Sequence, residues 1–80
     1  MASPQVQLVD TLVLGDDANI RIVAKTLRVG GRLSYANADS VATATGWEGE
    51  PTGKRSSRVR DSWREANGDW GLTIEFTTER

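Results

Sequence analysis

The chain has 80 residues, a formal net charge of −1 and neither cysteine nor histidine. This length predicts one domain over residues 1–80, and the missing residue types exclude a disulfide framework, a Cys/His zinc site, a thiol nucleophile and an imidazole base. Leu, Ile, Val and Phe make up 17 of the 80 residues, just above the level of about 20% below which chains tend to be disordered. We therefore expect a folded domain with a thin core, no cofactor, and flexible ends at 1–5 and 78–80.

The first third of the chain has the pattern of an antiparallel meander. Residues 6–14 (VQLVDTLVL) are rich in strand-forming side chains, turn residues follow, and a second alternating segment covers 19–29. Gly30-Gly31 can adopt the positive φ angles of a tight hairpin, from which residues 32–35 would return along the preceding strand. These features predict three consecutive strands.

Residues 36–47 fit either a helix or a strand. Small and apolar residues recur at helical spacing, but Asn, Asp, Ser and β-branched residues are weak formers of a helix interior. In a strand, alternate residues from Val41 to Trp47 would share one face, and we favour this interpretation. Residues 48–57, which contain Pro51, then form a polar loop.

The C-terminal segment has the clearest local pattern. Asn67-Gly68 is a favoured two-residue hairpin turn, and apolar residues alternate from Trp70 to Phe76 behind it. That turn would place Trp63 opposite Leu72, whereas a helix over 58–66 is the alternative. In the hairpin, one apolar face collects Val59, Trp63, Trp70, Leu72, Ile74 and Phe76, and Trp47 covers the far end of this predicted interface.

Together these segments predict a mainly β or α+β fold, with a single curved antiparallel sheet of five or six strands in hairpin meander order and at most one short helix. Because one sheet cannot shield its own apolar face, that face is expected to pack on a second copy or on another protein. The resulting hypothesis is a non-enzymatic binding or assembly module. No run approaches the roughly 20 apolar residues of a membrane span, so we expect no membrane association and a cytoplasmic location. Eight arginines against two lysines are typical of a GC-rich bacterial or phage source.

A basic cluster supports a second hypothesis, nucleic-acid binding through an Arg-rich hairpin. In the predicted hairpin Arg58, Arg60 and Arg64 share a face, which could contact phosphates while Trp63 stacks on a base. The slightly acidic chain argues against this, since nucleic-acid-binding domains are usually strongly basic, and a solvated sheet face explains the same residues. The cluster comprises Lys54, Arg55, Arg58, Arg60 and Arg64.

Other polar motifs do not define a reaction. Residues 49–55 resemble a phosphate-binding loop, but the spacing is one residue short and Arg55 occupies the Ser/Thr position. Residues 16–19 lack the alternating carboxylates of a calcium loop, so no metal site is predicted. Asp10 and Asp61 would be the candidates for a buried carboxylate if the chain were an enzyme, but no catalytic residue is assigned.

Residues 40–79 resemble the terminal strands of the SnoaL-like and ketosteroid-isomerase-like superfamily, which shares the nuclear-transport-factor cone. The resemblance is carried by Asp61, Trp63, Gly68, Trp70 and Leu72. It implies a curved sheet and either small apolar-ligand binding or dimerisation. The chain departs from that superfamily in lacking helices before Val6 and any position that matches its general base, so catalysis is not implied.

Overall fold

The computed structural model describes residues 5–80, which form four antiparallel strands and one helix. In chain order they are β1 (Val6–Asp16), β2 (Ile20–Val29), α1 (Tyr35–Gly46), β3 (Lys54–Arg64) and β4 (Trp70–Glu79). Most of the N-terminal end that we predicted to be flexible lies outside the described residues. Gln5 is described, and its carbonyl accepts a hydrogen bond from the Gly30 N–H at 2.8 Å.

The strands form one sheet in the order β1-β2-β4-β3. β1–β2 and β3–β4 are hairpins. The connection from β2 to β3 contains α1 and leads to the far edge of the sheet, so that β4 lies between β2 and β3. The prediction of a mainly β antiparallel sheet with one short helix is confirmed. The predictions of five or six strands and of meander order are wrong, because residues 30–47 contribute a helix where we expected two strands.

The helix forms because the chain leaves the sheet after β2 and meets a capping residue. Gly31 and Arg32 both have positive φ, 100° and 54°, so the chain turns away where a hairpin was predicted. Ser34 then caps the helix, since its side chain accepts a hydrogen bond from the Asn37 N–H at 3.3 Å. Ala38 and Ala42, one turn apart, are fully buried against the sheet. This close packing of small side chains outweighs the weak helix propensity of the segment.

One face of the sheet, which we call the helix face, carries the core. Directly opposed residues in antiparallel strands share a face, so the register places Leu27 with Leu72 and Val29 with Trp70 beneath α1. The cluster of buried side chains at the centre of the core comprises Leu27, Val29, Ala38, Ala42, Leu72, Ile74 and Phe76. α1 packs against β1, β2 and β4. The domain therefore covers its main apolar face with its own helix.

The β3–β4 turn is one residue longer than predicted, and this moves Trp63 to the other face. The Glu65 N–H donates to the Asp69 carbonyl at 2.8 Å, and Gly68 has a φ of 93°, which is typical of a three-residue hairpin loop. Trp63 consequently lies opposite Gly71, not Leu72. Because side chains alternate along a strand, a shift of one residue exchanges the faces.

Both ends of the β3–β4 hairpin extend further than predicted. β3 begins at Lys54, so residues 54–57, which we assigned to the polar loop, pair with the end of β4. Residues 78–80 were expected to be flexible, but Thr78 is buried and the Arg80 N–H donates to the Asn19 carbonyl at 2.9 Å. The structure thus corrects the loop to residues 47–53.

Candidate functional site

The predicted apolar interface does not form one exposed surface. Leu72, Ile74 and Phe76 are at most 1% exposed because they lie beneath α1. Trp47 and Val59 pack against the edge of the same core. Leu72, Ile74 and Phe76 are therefore held within the domain, whereas Trp47 and Val59 are only partly buried.

Two tryptophans from that predicted surface are anchored by contacts within the domain. The Trp70 indole N–H donates to the Leu33 carbonyl at 2.8 Å, and Tyr35 meets its ring edge-on at 5.5 Å between centroids. Trp47 meets the Phe76 ring edge-on at 4.9 Å. Both indoles hold the ends of α1 against the sheet.

Trp63 lies on the opposite side of the sheet, which we call the open face. Its indole lies directly over Gly71, where any Cβ would overlap the ring. It is 39% exposed, and its N–H donates to the Glu65 carboxylate at 3.0 Å. Trp63 therefore shares no surface with the other two tryptophans.

The basic cluster is also divided between the two faces. A β-bulge at Arg60 shifts the register between Val59 and Asp61. Arg58 consequently lies on the open face opposite Glu75, whereas Arg64 lies on the helix face with its guanidinium 5.0 Å from the Trp70 ring. Our prediction that these two arginines share a face is wrong.

Most members of the cluster already have partners within the domain. Arg58 and Arg60 approach the Glu75 carboxylate at 3.4 and 3.7 Å. Arg55 lies 4.8 Å from the Trp47 ring centroid and donates to the Glu50 and Pro51 carbonyls. The cluster therefore presents no continuous basic surface.

A buried ionic group fastens the 47–53 loop to β2. The Lys25 ammonium lies 3.0 Å from one Glu50 carboxylate oxygen, and the Arg21 Nε–H donates to the other at 2.8 Å. Lys25 also donates to the Gly46 carbonyl at 2.5 Å, at the end of α1, where a positive charge is favourable. Sequence reasoning placed Glu50 in a solvated loop and missed this group, because only the fold brings residues 21, 25 and 50 together.

The protonation states of this group favour the folded state. Burial raises the pKa of Glu50, but the hydrogen bonds and charges of Arg21 and Lys25 outweigh burial, so the pKa lies below its ordinary value. The hydrogen bond to Glu50 raises the pKa of Arg21. Within residues 5–80 no buried side-chain nitrogen or oxygen lacks a hydrogen-bond partner. The ion pairs and hydrogen bonds of Arg21, Lys25 and Glu50 therefore hold the 47–53 loop against β2.

A shallow groove of about 460 Å³ separates α1 from β3 on the helix face. Its walls combine small side chains, hydroxyl groups and one indole. The lining residues are Ala36, Asp39, Ser40, Thr43, Ala44, Trp47, Ser57 and Val59. The Asp39 carboxylate accepts a hydrogen bond from the Thr43 hydroxyl at 3.0 Å. The lining of the groove is therefore of mixed polar and apolar character.

The largest exposed apolar surface described in residues 5–80 is strand β1. Five of its side chains are between 46% and 58% exposed: Leu8, Val9, Leu12, Val13 and Leu14. β1 pairs with β2 on one side, and its other side pairs with no strand of the described chain. Sequence reasoning assigned β1 to the sheet but did not identify it as an edge. Apolar residues at both odd and even positions were the available signal, since a strand with one solvated face alternates with polar residues.

Two bulges and a scarcity of charge characterise this edge. The register with β2 shifts between Leu8 and Asp10 and again between Val13 and Gly15. Between Val6 and Asp16 there is no basic residue. Asp16 is neutralised by Arg21 and Arg80 at 2.8 and 2.9 Å, which leaves one acidic side chain without an ion pair in the strand, at position 10. The edge is therefore almost uncharged.

The remaining tests of the sequence hypotheses add no reactive site. Asp10 and Asp61 are exposed, and each accepts a hydrogen bond from the N–H of the next residue. Residues 5–80 contain no group of three or more potential metal ligands, and their one helix is too short to cross a membrane. No protein-family model, no curated protein and no solved structure matches the chain. The edge strand β1 is therefore the candidate surface on geometry alone.

Proposed function

We propose that this protein is a non-enzymatic assembly module that associates with a second copy of itself through the β1 edge. The observation that carries the proposal is the run of five half-exposed apolar side chains on a strand whose outer side pairs with no strand of residues 5–80. Such an edge presents free N–H and C=O groups as a template for another strand. Pairing would satisfy these groups and remove the apolar side chains from water together.

Relative magnitudes favour an apolar partner surface over a charged one. Burying a fully exposed leucine or valine contributes about 1.5–3 kcal/mol, so each half-exposed side chain of β1 can contribute about 1 kcal/mol. A solvent-exposed ion pair contributes about 0.2–1 kcal/mol, and β1 has one unpaired charge to offer. A second β1 supplies the same five apolar side chains, which doubles the apolar area buried.

Sedimentation of the purified chain at micromolar concentration tests the proposal. We expect the wild type to be dimeric, and Leu12→Lys and Val13→Lys to be folded monomers, because each places a charge on one face of the β1 edge. Ser56→Lys and Ser62→Lys, one on each face of the other edge strand β3, are matched controls, which should remain dimeric. A monomeric wild type, or β1 variants that associate like the controls, would contradict the proposal.

A second candidate, small-ligand binding, is favoured by the groove between α1 and β3. It would agree with the resemblance to the SnoaL-like cone, which stays a prediction. A rise in melting temperature with apolar ligands, absent in Ala44→Trp, would support it. The nucleic-acid hypothesis and the cytoplasmic location also stay predictions. The division of the basic residues between two faces provides no support for nucleic-acid binding.

A further inference from the structure

We infer that the two copies pair symmetrically through antiparallel β1 strands. Their two-fold axis passes midway between the two copies of Thr11 or of Leu12, so that this residue lies opposite itself. This inference rests on the proposed function and specifies its interface. The product is one eight-stranded sheet with both α1 helices on the same face. The alternative is head-to-tail pairing, in which β1 of one copy meets β3 of the next and assembly continues as a ring or filament.

Strand geometry requires one residue of β1 to lie opposite the same residue of the second copy, with the axis midway between the two. Opposed residues in an antiparallel pair share a face, and faces alternate along each strand. A two-fold axis perpendicular to the sheet keeps the helix face of both copies on one side. Opposed residues must therefore lie an even number of positions apart. Thr11 meets this condition on the helix face, opposite Lys25 of β2, and Leu12 meets it on the open face, opposite Ala24.

Bulges and charges then restrict the position of the axis. The regular part of β1 between its two bulges is 10–13. In an uninterrupted register, an axis at Asp10 would oppose the two Asp10 carboxylates, and an axis at Val13 would oppose Asp10 and Asp16. Like charges directly opposite one another are destabilising. An axis at Thr11 places Asp10 opposite Leu12, and an axis at Leu12 places it opposite Leu14, so these two positions remain.

The composition of β3 argues against head-to-tail pairing. The geometry itself would allow it, since β1 and β3 run in opposite directions at the two edges of the sheet. However, among the described side chains of β3, Trp63 alone is an exposed large hydrophobic residue, and Arg58 and Arg60 already contact Glu75. Pairing with β3 would bury the leucines and valines of β1 against guanidinium groups that need water or a carboxylate. Pairing with a second β1 matches apolar side chains with apolar side chains.

Single cysteines test the symmetry directly, because the chain contains no cysteine. An on-axis cysteine lies opposite its own copy, and opposed Cβ atoms are close to disulfide distance. We expect either Thr11→Cys or Leu12→Cys to form a covalent dimer under mild oxidation at least about tenfold faster than the off-axis control Gln7→Cys. Ser56→Cys and Ser62→Cys on β3 should behave like Gln7→Cys.

The outcomes separate this inference from the proposed function. If the wild type is dimeric but neither on-axis variant cross-links faster than Gln7→Cys, the symmetric arrangement is wrong and the assembly proposal survives. Cross-linking only in mixtures of Thr11→Cys with Ser62→Cys, or of Leu12→Cys with Ser56→Cys, would establish head-to-tail pairing and overturn the symmetric one. If the wild type sediments as a monomer at every concentration, both proposals fail.

Discussion

The two edges of the sheet differ although they occupy equivalent positions. β1 is nearly uncharged and exposes leucine and valine on both faces, whereas β3 has a basic residue at five of its eleven positions. Each strand contains a bulge, so bending does not distinguish them. Charged side chains on an edge strand discourage pairing with another sheet. The comparison indicates that β3 is protected against association and that β1 is available for it.

The same contrast separates two leucines of different strands, and truncating the buried one should give the largest effect on stability. Leu72 is fully buried and Leu12 is 58% exposed. Leu72→Ala should lower the free energy of unfolding by about 2–5 kcal/mol, because it leaves a cavity beneath α1. Leu12→Ala should change the stability of the monomer by less than about 1 kcal/mol but weaken dimerisation.

Urea denaturation at low protein concentration, together with sedimentation, measures both effects. Concentration matters because dimerisation itself stabilises the folded state. Equal destabilisation by the two truncations would mean that β1 is covered within the monomer, and the distinction between a closed core and an open edge would be lost.

Glu50 holds the loop before β3 against β2. Glu50→Gln should lower the free energy of unfolding by about 2–4 kcal/mol. This effect is at or below the range for breaking a buried ion pair, because Arg21 keeps its contact with Asp16. Arg58→Gln removes an exposed ion pair and is the control, with an expected change below about 1 kcal/mol. Thermal or urea unfolding measures both.

The pH dependence of stability follows from the same residue. The pKa of Glu50 is lower in the folded than in the unfolded chain, so the unfolded state binds a proton first as the pH falls. The contribution of Glu50 is therefore complete above about pH 4.3, the ordinary glutamate value, and is lost as the pH falls through the lower folded pKa. Glu50→Gln should flatten this part of the stability profile, and an unchanged acid profile would contradict the role assigned to Glu50.

Local patterns in the sequence predicted the strands and the hairpin turn, but not the position of the edges. Alternation from Trp70 to Phe76 identified β4, and the segment 6–14 identified β1. The sequence did not predict α1, because the helix is stabilised by the close packing of Ala38 and Ala42 against the sheet. That packing depends on the tertiary structure and not on local sequence. The apolar and basic surfaces that we predicted were wrong because one extra turn residue exchanges the faces of Trp63 and Arg64, while a bulge separates them from Arg58. Whether β1 is central or at an edge depends on the order of strands that are distant in sequence.

The smallest expected effect, the response of the dimer to salt, distinguishes the two edges most directly. An interface made by β3 would depend on arginine charges and would weaken as salt screens them. An interface made by two β1 strands contains no basic residue, and its two Asp10 side chains repel weakly. Raising the salt concentration should therefore leave the dissociation constant unchanged or lower it by less than about fivefold, because a screened surface interaction contributes under about 1 kcal/mol. Sedimentation at low and high salt measures this change, with Asp10→Asn as the control in which the residual salt effect should disappear. A dimer that dissociates in high salt would assign the interface to the basic edge and reverse the comparison between β1 and β3.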